Sequence, residues 1–295
     1  MRGLNIFISA AIVILLSSIL HAQSIEKEIK KIAIDAKGRV GAGIMLAETG
    51  EASWLNADER FPMQSVYKLP IAMAVLSKVD QGLISLDSMV LVKKDDFISK
   101  RQYSPIRDKN PKGNFQMKVR DLIRYAVSES DGTASDVLMK LCGGPKEIMN
   151  YLLGLGIKEI HVKNTEKEMG LDYSVQYKNT STPRAAIRLL YLIYKGGLFK
   201  KETEALLLDD MTNLLTSSKR IKGLLPKDTK VAHKTGTSGT ENGIAAATND
   251  IGIITLPDGR HLLVAVFVSD SKAPEDVREG VIARIAKAGW AKYVK

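Results

Sequence analysis

The chain has 295 residues, of which 45% are hydrophobic and 26% are charged, and this ordinary globular composition predicts a sizeable core in one large domain or two intimate ones. The formal net charge is +10, but the basic residues are scattered from Lys27 to Lys295 without a recognition motif, which excludes nucleic acid as an expected partner. A more plausible consequence of the positive charge is attraction of small ligands that carry a carboxylate.

The first 22 residues predict a secretory signal peptide. Arg2 precedes an apolar run from Ile6 to Leu20, and His21-Ala22-Gln23 places a small residue before the expected cut. The run is shorter than the roughly 20 residues that a membrane-spanning helix needs, so an uncleaved anchor is the less favoured alternative. We therefore expect a mature chain that begins near Gln23, is periplasmic or secreted, and has no stable membrane association.

Strands follow a short helical segment at the start of the mature chain. "SIEKEIKKIAIDA" has the pattern of a helix, and "VGAGIMLAETGEASWLN" contains two β-prone runs around a Glu-Thr-Gly turn. The second stretch therefore predicts a β-hairpin.

From Ser65 to about Phe199 the pattern becomes helical. Glycine pairs end "TASDVLMKLCGG" and "TPRAAIRLLYLIYKGG", and Ser181 or Thr182 before Pro183 is a good helix start. Cys142, the single cysteine of the chain, lies in one of these apolar stretches, so we expect a buried thiol, and no intrachain disulfide is possible.

Beyond Lys227 the sequence predicts a strand in "KVAHKTGTSG", a hairpin across Pro257-Asp258-Gly259 and a closing helix. The predicted fold class is α/β (α+β), with an antiparallel sheet and flanking terminal helices, and a mainly helical part inserted in the middle. We assign residues 23–62 and 219–295 to a sheet domain and residues 63–218 to a helical domain, with the active site at their interface.

The stretch "FPMQSVYKLP", residues 61–70, sets Ser65 three positions before Lys68 at the start of an apolar helix. A serine hydroxyl hardly ionises at neutral pH, and a partly desolvated lysine on the same helix face can supply the base that it needs. Pro70 and the apolar residues after it predict a buried helix with an irregular first turn. This motif alone does not distinguish a catalytic Lys68 from a lysine that is simply part of the helix.

Two further motifs follow in order. "SESDGTASD", residues 128–136, breaks one helical pattern at Ser130 and begins the next, although a plain helix–helix turn capped by Asp131 explains it equally. In "KVAHKTGTSGT" a strand ends in Lys234-Thr235-Gly236, where the glycine would let a ligand approach the backbone closely. A basic residue, a hydroxyl and an open strand edge suit a carboxylate-bearing, peptide-like ligand.

This order resembles the S-x-x-K, S-D-N and K-T-G signature of the serine β-lactamases and penicillin-binding proteins. The stretches "FPMQSVYK", "VQYKN", "IKGLLP", "VAHKTGTS" and "GIITLPDGR" are similar to class A β-lactamases, nearest to the extended-spectrum cephalosporinase branch with the PER and Bacteroides-type enzymes. The resemblance covers essentially the whole mature chain. It implies a hydrolase that opens β-lactams and needs no cofactor.

The resemblance also implies catalytic roles. Ser65 would attack the lactam carbonyl with Lys68 as its base, and Ser130 would relay a proton to the leaving nitrogen. A loop before a helix, "VKNTEKEMGLDYSVQYKNTSTP", carries Glu166 where the family has its deacylating base. Glu168, two residues later, is a second candidate for this base. For either residue, the alternative is a solvated loop carboxylate without a catalytic role.

Substrate-binding roles are implied for the third motif and for one aromatic residue. Lys234 would hold Ser130 and the substrate carboxylate, assisted by Thr235 and Gly236. Thr237, together with Ser65, would lend backbone N–H groups to the oxyanion hole. Tyr103 in "RQYSPI" resembles the aromatic wall of the family's cleft, with a half-buried loop tyrosine as the alternative.

Two positions depart from the family pattern. Gly132 stands where the family has a substrate-binding asparagine, and a lost hydrogen bond of about 0.5–1.5 kcal/mol predicts about tenfold lower efficiency, which Gly132→Asn should recover. Gly170 stands where many relatives have an asparagine that holds the hydrolytic water, which implies slower deacylation than in common penicillinases.

Two other functions share these motifs. A D,D-peptidase would hold its β-lactam adduct for long times, and a β-lactam or muropeptide sensor would acylate and stop. No metal site is expected, because His21 lies in the signal segment, the other histidines are far apart, and no H-x-H or H-E-x-x-H occurs. We expect a monomer whose partner is a small-molecule β-lactam.

Overall fold

A computed structural model describes residues 25–216 and 218–294. The predicted signal peptide, residues 1–22, lies outside the described residues. Within the described part of the chain, no helix combines the length and apolar character needed to cross a membrane.

The chain alternates between strands and helices, and its elements are numbered here in chain order. The strands are β1 (Arg39–Leu46), β2 (Ala52–Leu55), β3 (Phe61–Pro62), β4 (Met89–Val92), β5 (Phe115–Lys118), β6 (Thr180–Ser181), β7 (Val231–Thr237), β8 (Thr240–Glu241), β9 (Ile244–Thr255) and β10 (His261–Ser271). The helices are α1 (residues 25–33), α2 (Lys68–Asp80), α3 (Pro105–Lys109), α4 (Val119–Val127), α5 (Gly132–Cys142), α6 (Pro145–Gly154), α7 (Glu166–Met169), α8 (Pro183–Lys195), α9 (Lys201–Thr212) and α10 (Glu275–Tyr293).

The main sheet is antiparallel, in the order β2-β1-β10-β9-β7, with β8 paired to β9. Both predicted hairpins, β1–β2 and β9–β10, are confirmed, as is the joining of strands from both chain ends in one sheet. β7 lies at an edge of this sheet, and no strand in the described part of the chain pairs with the outer side of the K-T-G segment. The predicted mixed fold class is confirmed.

Side chains of β10 alternate between two hydrophobic clusters, because successive strand residues face opposite sides of a sheet. Leu263 and Phe267 join the cluster that contains the middle helices, whereas Val264 and Val266 join the one that contains α1 and α10. The sheet is therefore covered on both faces, and the helical part of the chain packs against one of them.

Helix α2 is the buried centre of the helical part, with side chains from Lys68 to Leu76 all buried. A 3-10 turn over Gln64–Tyr67 leads into it, so the predicted irregular first turn is confirmed. The other predicted signals also hold: Thr182 accepts a hydrogen bond from Ala185 N at the start of α8, and Cys142 is buried. Gly143 ends α5 in the left-handed conformation.

Candidate active site

The Gln64–Tyr67 turn holds Ser65 against strand β7. Gln64 has a positive φ of 48°, and its amide donates to Gln176 Oε1. A Cβ on Gly236 would lie 2.3 Å from Met63 O, so only glycine allows the strand to approach this turn. The structure therefore corrects the expected reason for Gly236: it makes room for the Ser65 turn, and a ligand does not occupy that space.

Lys68 lies where three predicted residues converge. Its side chain is 2% exposed, its Nζ donates to Ser130 O at 2.6 Å, and it lies 3.1 Å from Glu166 Oε1. Ser65, one helical turn earlier, lines the same cavity. The structure thus brings together three distant segments, which carry Ser65 with Lys68, Ser130 and Glu166.

Ser130 is held in a strained turn between α4 and α5, with a φ of 58°. Asp131 caps α5 by accepting from Ala134 N, as predicted, and also accepts from Ile106 N at 2.7 Å and from Ser104 Oγ. These bonds tie the turn to the loop that carries Tyr103. A residue in such a conformation persists only where its surroundings fix it, which is common at functional sites.

Behind the Ser130 turn lies a buried carboxyl on α9. Asp210 is 6% exposed, and it accepts from Ser128 Oγ through its backbone oxygen at 2.8 Å. Its Oδ2 has no hydrogen-bond partner among the described residues. Burial raises the pKa of Asp210 from 3.8 to about 7.

Asp210→Asn should stabilise the protein in alkaline solution. The folded chain binds the Asp210 proton more tightly than the unfolded chain, so the free energy of unfolding falls as the pH rises from about 4 to about 7. The amide cannot ionise, and we expect a gain of about 2–4 kcal/mol at pH 8 and none near pH 4, measured by urea unfolding. The exposed neighbour supplies the control, Asp209→Asn. Equal effects of Asp210→Asn at both pH values would contradict this account.

Lys234 on β7 is completely buried and donates to Ser130 Oγ at 2.9 Å. Burial, and then the nearby Lys68 ammonium, lower the pKa of Lys234 well below that of a lysine in water. Next to it, the hydroxyls of Thr235 and Thr216 lie 3.0 Å apart. The pair of Lys234 and Ser130 can therefore donate and receive protons within the site.

Glu166 begins α7, and the structure distinguishes it from Glu168. The Glu168 carboxylate accepts from Thr165 N at 2.8 Å, and Thr165 Oγ1 accepts from Glu168 N, which is a capping box. The Thr165 backbone bond lowers the pKa of Glu168. Only Glu166 contacts Lys68, so Glu168 has a structural role and Glu166 faces the cavity.

Asp136 holds the Glu166 turn from behind. Its two carboxylate oxygens accept from Glu166 N at 2.7 Å and from Lys167 N at 2.9 Å. Burial, and then the charge of Glu166, raise the pKa of Asp136 to about 7. No motif in the sequence indicated this role for Asp136, although its place one helical turn after Gly132 and Thr133 puts it on the motif-bearing helix.

Arg220 is a second residue that the sequence analysis missed. It is fully buried, pairs with Glu279 at 3.1 Å, and donates to Gly236 O at 3.1 Å and to Thr237 Oγ1 at 2.8 Å. Its guanidinium therefore fixes the end of β7 and places a positive charge beside it. In the sequence, nothing distinguishes Arg220 from the many other scattered basic residues.

The cavity between these elements has a volume of about 920 Å³. Tyr103 lines its mouth with 61% of its surface exposed, and Thr235 and Thr237 form the β7 side. The predicted residues Lys234, Gly132 and Gly236 are not among the residues that line it. Lys234 instead acts on the cavity through Ser130.

Gly132 lies at the start of α5 against two side chains. A Cβ on Gly132 would lie 2.4 Å from Ile98 Cδ1 and 3.2 Å from Glu166 Cγ, and Ile98 is buried. The space of the expected asparagine is therefore filled. On this geometry we expect Gly132→Asn to lower activity, whereas the sequence alone predicted a recovery.

We expect Gly132→Asn and Gly132→Ala to lower kcat/KM about tenfold or more, because each new side chain displaces Glu166 or strains Ile98. Adding Ile98→Val removes the closest atom and should restore part of the loss in Gly132→Ala. Gly280→Ala is the control, since a Cβ there meets no atom within 4 Å. Higher activity in Gly132→Asn would show that the asparagine fits after all.

No group of three or more metal-ligating side chains occurs in residues 25–216 and 218–294. The chemistry available in the cavity is that of the hydroxyls, ammonium groups and carboxylate described above. These groups suit nucleophilic attack followed by general acid–base catalysis.

Comparison with known proteins gives consistent matches. The model of a family described as the beta-lactamase enzyme family matches residues 24–293. The extended-spectrum beta-lactamase PER-1 of Pseudomonas aeruginosa is 40% identical over 92% of this chain and 88% of its own length, and beta-lactamase VEB-1 of the same organism is 39% identical over 90% and 89%. The crystal structure of a beta-lactamase from Chitinophaga pinensis DSM 2588 has a TM-score of 0.88 at 44% identity, covering 91% of this chain and 98% of that one.

Proposed function

Since this chain belongs to the class A β-lactamases and hydrolyses β-lactams, we propose that Ser65 is the nucleophile and that Glu166 activates the water that completes the reaction. The observation that carries this proposal is the convergence on Lys68 of the Ser130 backbone and the Glu166 carboxylate beside the Ser65 turn. The family assignment also decides against the peptidase and sensor alternatives.

Acylation begins when Ser65 Oγ attacks the lactam carbonyl carbon and its proton passes to the Lys68–Glu166 pair. The backbone N–H groups of Ser65 and Thr237 stabilise the oxyanion, each such donor lowering the barrier by about 3–4 kcal/mol. The C–N bond then breaks, and Ser130 gives its proton to the leaving nitrogen. Lys234, 2.9 Å from Ser130 Oγ, reprotonates Ser130, and the proton held by the Lys68–Glu166 pair then passes to Lys234, so that Glu166 is again a carboxylate.

Deacylation uses the carboxylate of Glu166, which takes a proton from water as the water oxygen attacks the ester carbon. The bond to Ser65 Oγ breaks, and the serine regains its proton. The product is the ring-opened acid. Glu166 is supported in this role by its contact with Lys68 and by the two backbone bonds that Asp136 accepts.

Substrate orientation is assigned to the β7 side of the cavity. We propose that Thr235 and Thr237 hold the substrate carboxylate, with Lys234 adding positive charge from behind Ser130 and Arg220 from behind Thr237. Tyr103 forms the opposite wall. Gly236 contributes by letting β7 approach Ser65, and Gly132 contributes by leaving room for Glu166.

The cellular setting and the domain division are also proposals. The charged and apolar pattern of residues 1–22 supports export to the periplasm or the medium. We further propose that the protein acts as a monomer. We propose that residues 23–62 and 219–295 form the sheet domain and residues 63–218 the helical domain, with the site between them.

The direct test mixes purified protein with a chromogenic cephalosporin and follows both turnover and intact mass. We expect steady hydrolysis with only a transient adduct on the peptide that contains Ser65. A stable adduct without turnover would overturn the proposal that Glu166 completes the reaction.

A further inference from the structure

The side chain of Gln102 contacts Glu166 from the cavity side. Its Nε2 donates to Glu166 O at 2.6 Å and lies 3.4 Å from Glu166 Oε2, and its Oε1 accepts from Ser99 N at 3.2 Å. Lys68 contacts the other carboxylate oxygen, Oε1. The two oxygens of the Glu166 carboxylate therefore lie beside different groups, the Lys68 ammonium at Oε1 and the Gln102 amide at Oε2.

The loop that carries Gln102 is held by the buried guanidinium of Arg107. The Arg107 Nη1 donates to Ser99 O at 2.6 Å, to Gln102 O at 3.0 Å and to Ile98 O at 3.3 Å. Gln102 N also donates to Ser99 O. Because both its backbone and its amide are fixed, Gln102 is presented to Glu166 in one geometry.

Gly170 provides the space that the Gln102 amide occupies. A Cβ on Gly170 would lie 2.2 Å from Gln102 Oε1 and 2.7 Å from its Cδ. Gly170 has an ordinary helical φ of −77°, so the backbone does not require glycine there. The glycine is explained by the amide beside it.

We propose that Gln102 is a positioning residue that orients the Glu166 carboxylate for deacylation. The inference rests on the proposed function of Glu166. Holding the Glu166 main chain and its Oε2 limits rotation of the carboxylate, so that the water is approached in one orientation. Misplacement of a catalytic group by about 1 Å can cost a hundredfold in rate, which sets the scale of the expected effect.

Gln102→Ala should slow deacylation about tenfold to a hundredfold and slow acylation less, because Lys68 still contacts Glu166. Stopped-flow absorbance and quenched intact mass measure the two steps separately. Gln102→Glu keeps the shape but loses the donor and adds a negative charge beside Glu166. Repulsion between the two carboxylates should displace Glu166, so deacylation should slow at least as much as in Gln102→Ala.

A second substitution at Gly170 tests whether Gln102 positions Glu166 or only stabilises the fold. Gly170→Asn alone should impair the enzyme, because its Cβ collides with the Gln102 amide. In the double variant Gln102→Ala/Gly170→Asn the space is free, and the asparagine amide can reach the same region. We expect the double variant to deacylate faster than either single variant. If the two substitutions acted independently, their losses in rate would add and the double variant would be the slowest.

Gln81→Glu, an exposed glutamine at the end of α2, is the control for the added charge, and thermal unfolding of each variant checks stability. Deacylation within about twofold of the parent in both Gln102 variants, or additive losses in the double variant, would overturn the inference. A parent enzyme whose Glu166→Gln variant turns over normally would instead overturn the proposed function. If Glu166→Gln traps the acyl-enzyme as expected and the Gln102 variants deacylate at the parent rate, the role of Gln102 is rejected and the proposed function stands.

Discussion

Ser65→Ala is expected to abolish both turnover and covalent attachment of a β-lactam. The alanine has no oxygen to attack the carbonyl, while Lys68, Ser130 and Glu166 stay in place, and loss of a nucleophile from such a set costs about 10⁶-fold in kcat. Intact mass after incubation with a chromogenic cephalosporin checks the adduct, and absorbance checks the rate. Ser85→Ala, in the loop after α2, is the matched control. An adduct on Ser65→Ala would place the nucleophile elsewhere.

Glu166→Gln is expected to give the opposite mass spectrum, with the acyl-enzyme accumulating to nearly one adduct per chain. The amide cannot take a proton from water, so deacylation slows about a hundredfold to ten-thousandfold. The same substitution two residues on, Glu168→Gln, tests the assignment, because Glu168 caps α7 and glutamine can also serve in a capping box. Glu168→Gln should turn over at nearly the parent rate. If the acyl-enzyme accumulated in Glu168→Gln and not in Glu166→Gln, Glu168 would be the deacylating base and Glu166 would not.

Local signals made the framework predictable from the sequence. Pro70 and the apolar residues after it predicted the irregular turn and the buried helix around Lys68, and both are present. Asp131 and Thr182 predicted helix starts because their side chains accept backbone N–H groups within the same turn. The hairpins were predictable for a similar reason, since their turns and strands are neighbours in the chain.

The site was predictable only where residue types sit at short, fixed spacing. The sequence could not show that Ile98 and Glu166 fill the space at Gly132, because that contact depends on how two distant loops pack. Arg220 and Gln102 were missed for the same reason. Their partners, Thr237 and Glu166, come from other segments, and a glutamine in a loop carries no pattern of its own.

The pairing of β1 with β10 determines when this enzyme can first become active. Arg39 lies opposite Ser269, so β1, the first strand of the chain, cannot complete its pairing until β10, the last strand, has left the ribosome. Closing so long a loop carries an entropic cost before the pairing compensates for it, which delays folding. A nascent chain that stops before β10 leaves β1 paired only with β2, and β9 paired only with β7 and β8, so the sheet is cut in two. Catalysis is therefore a property of the completed polypeptide, and an early stop codon should abolish β-lactam hydrolysis even when it spares every catalytic residue.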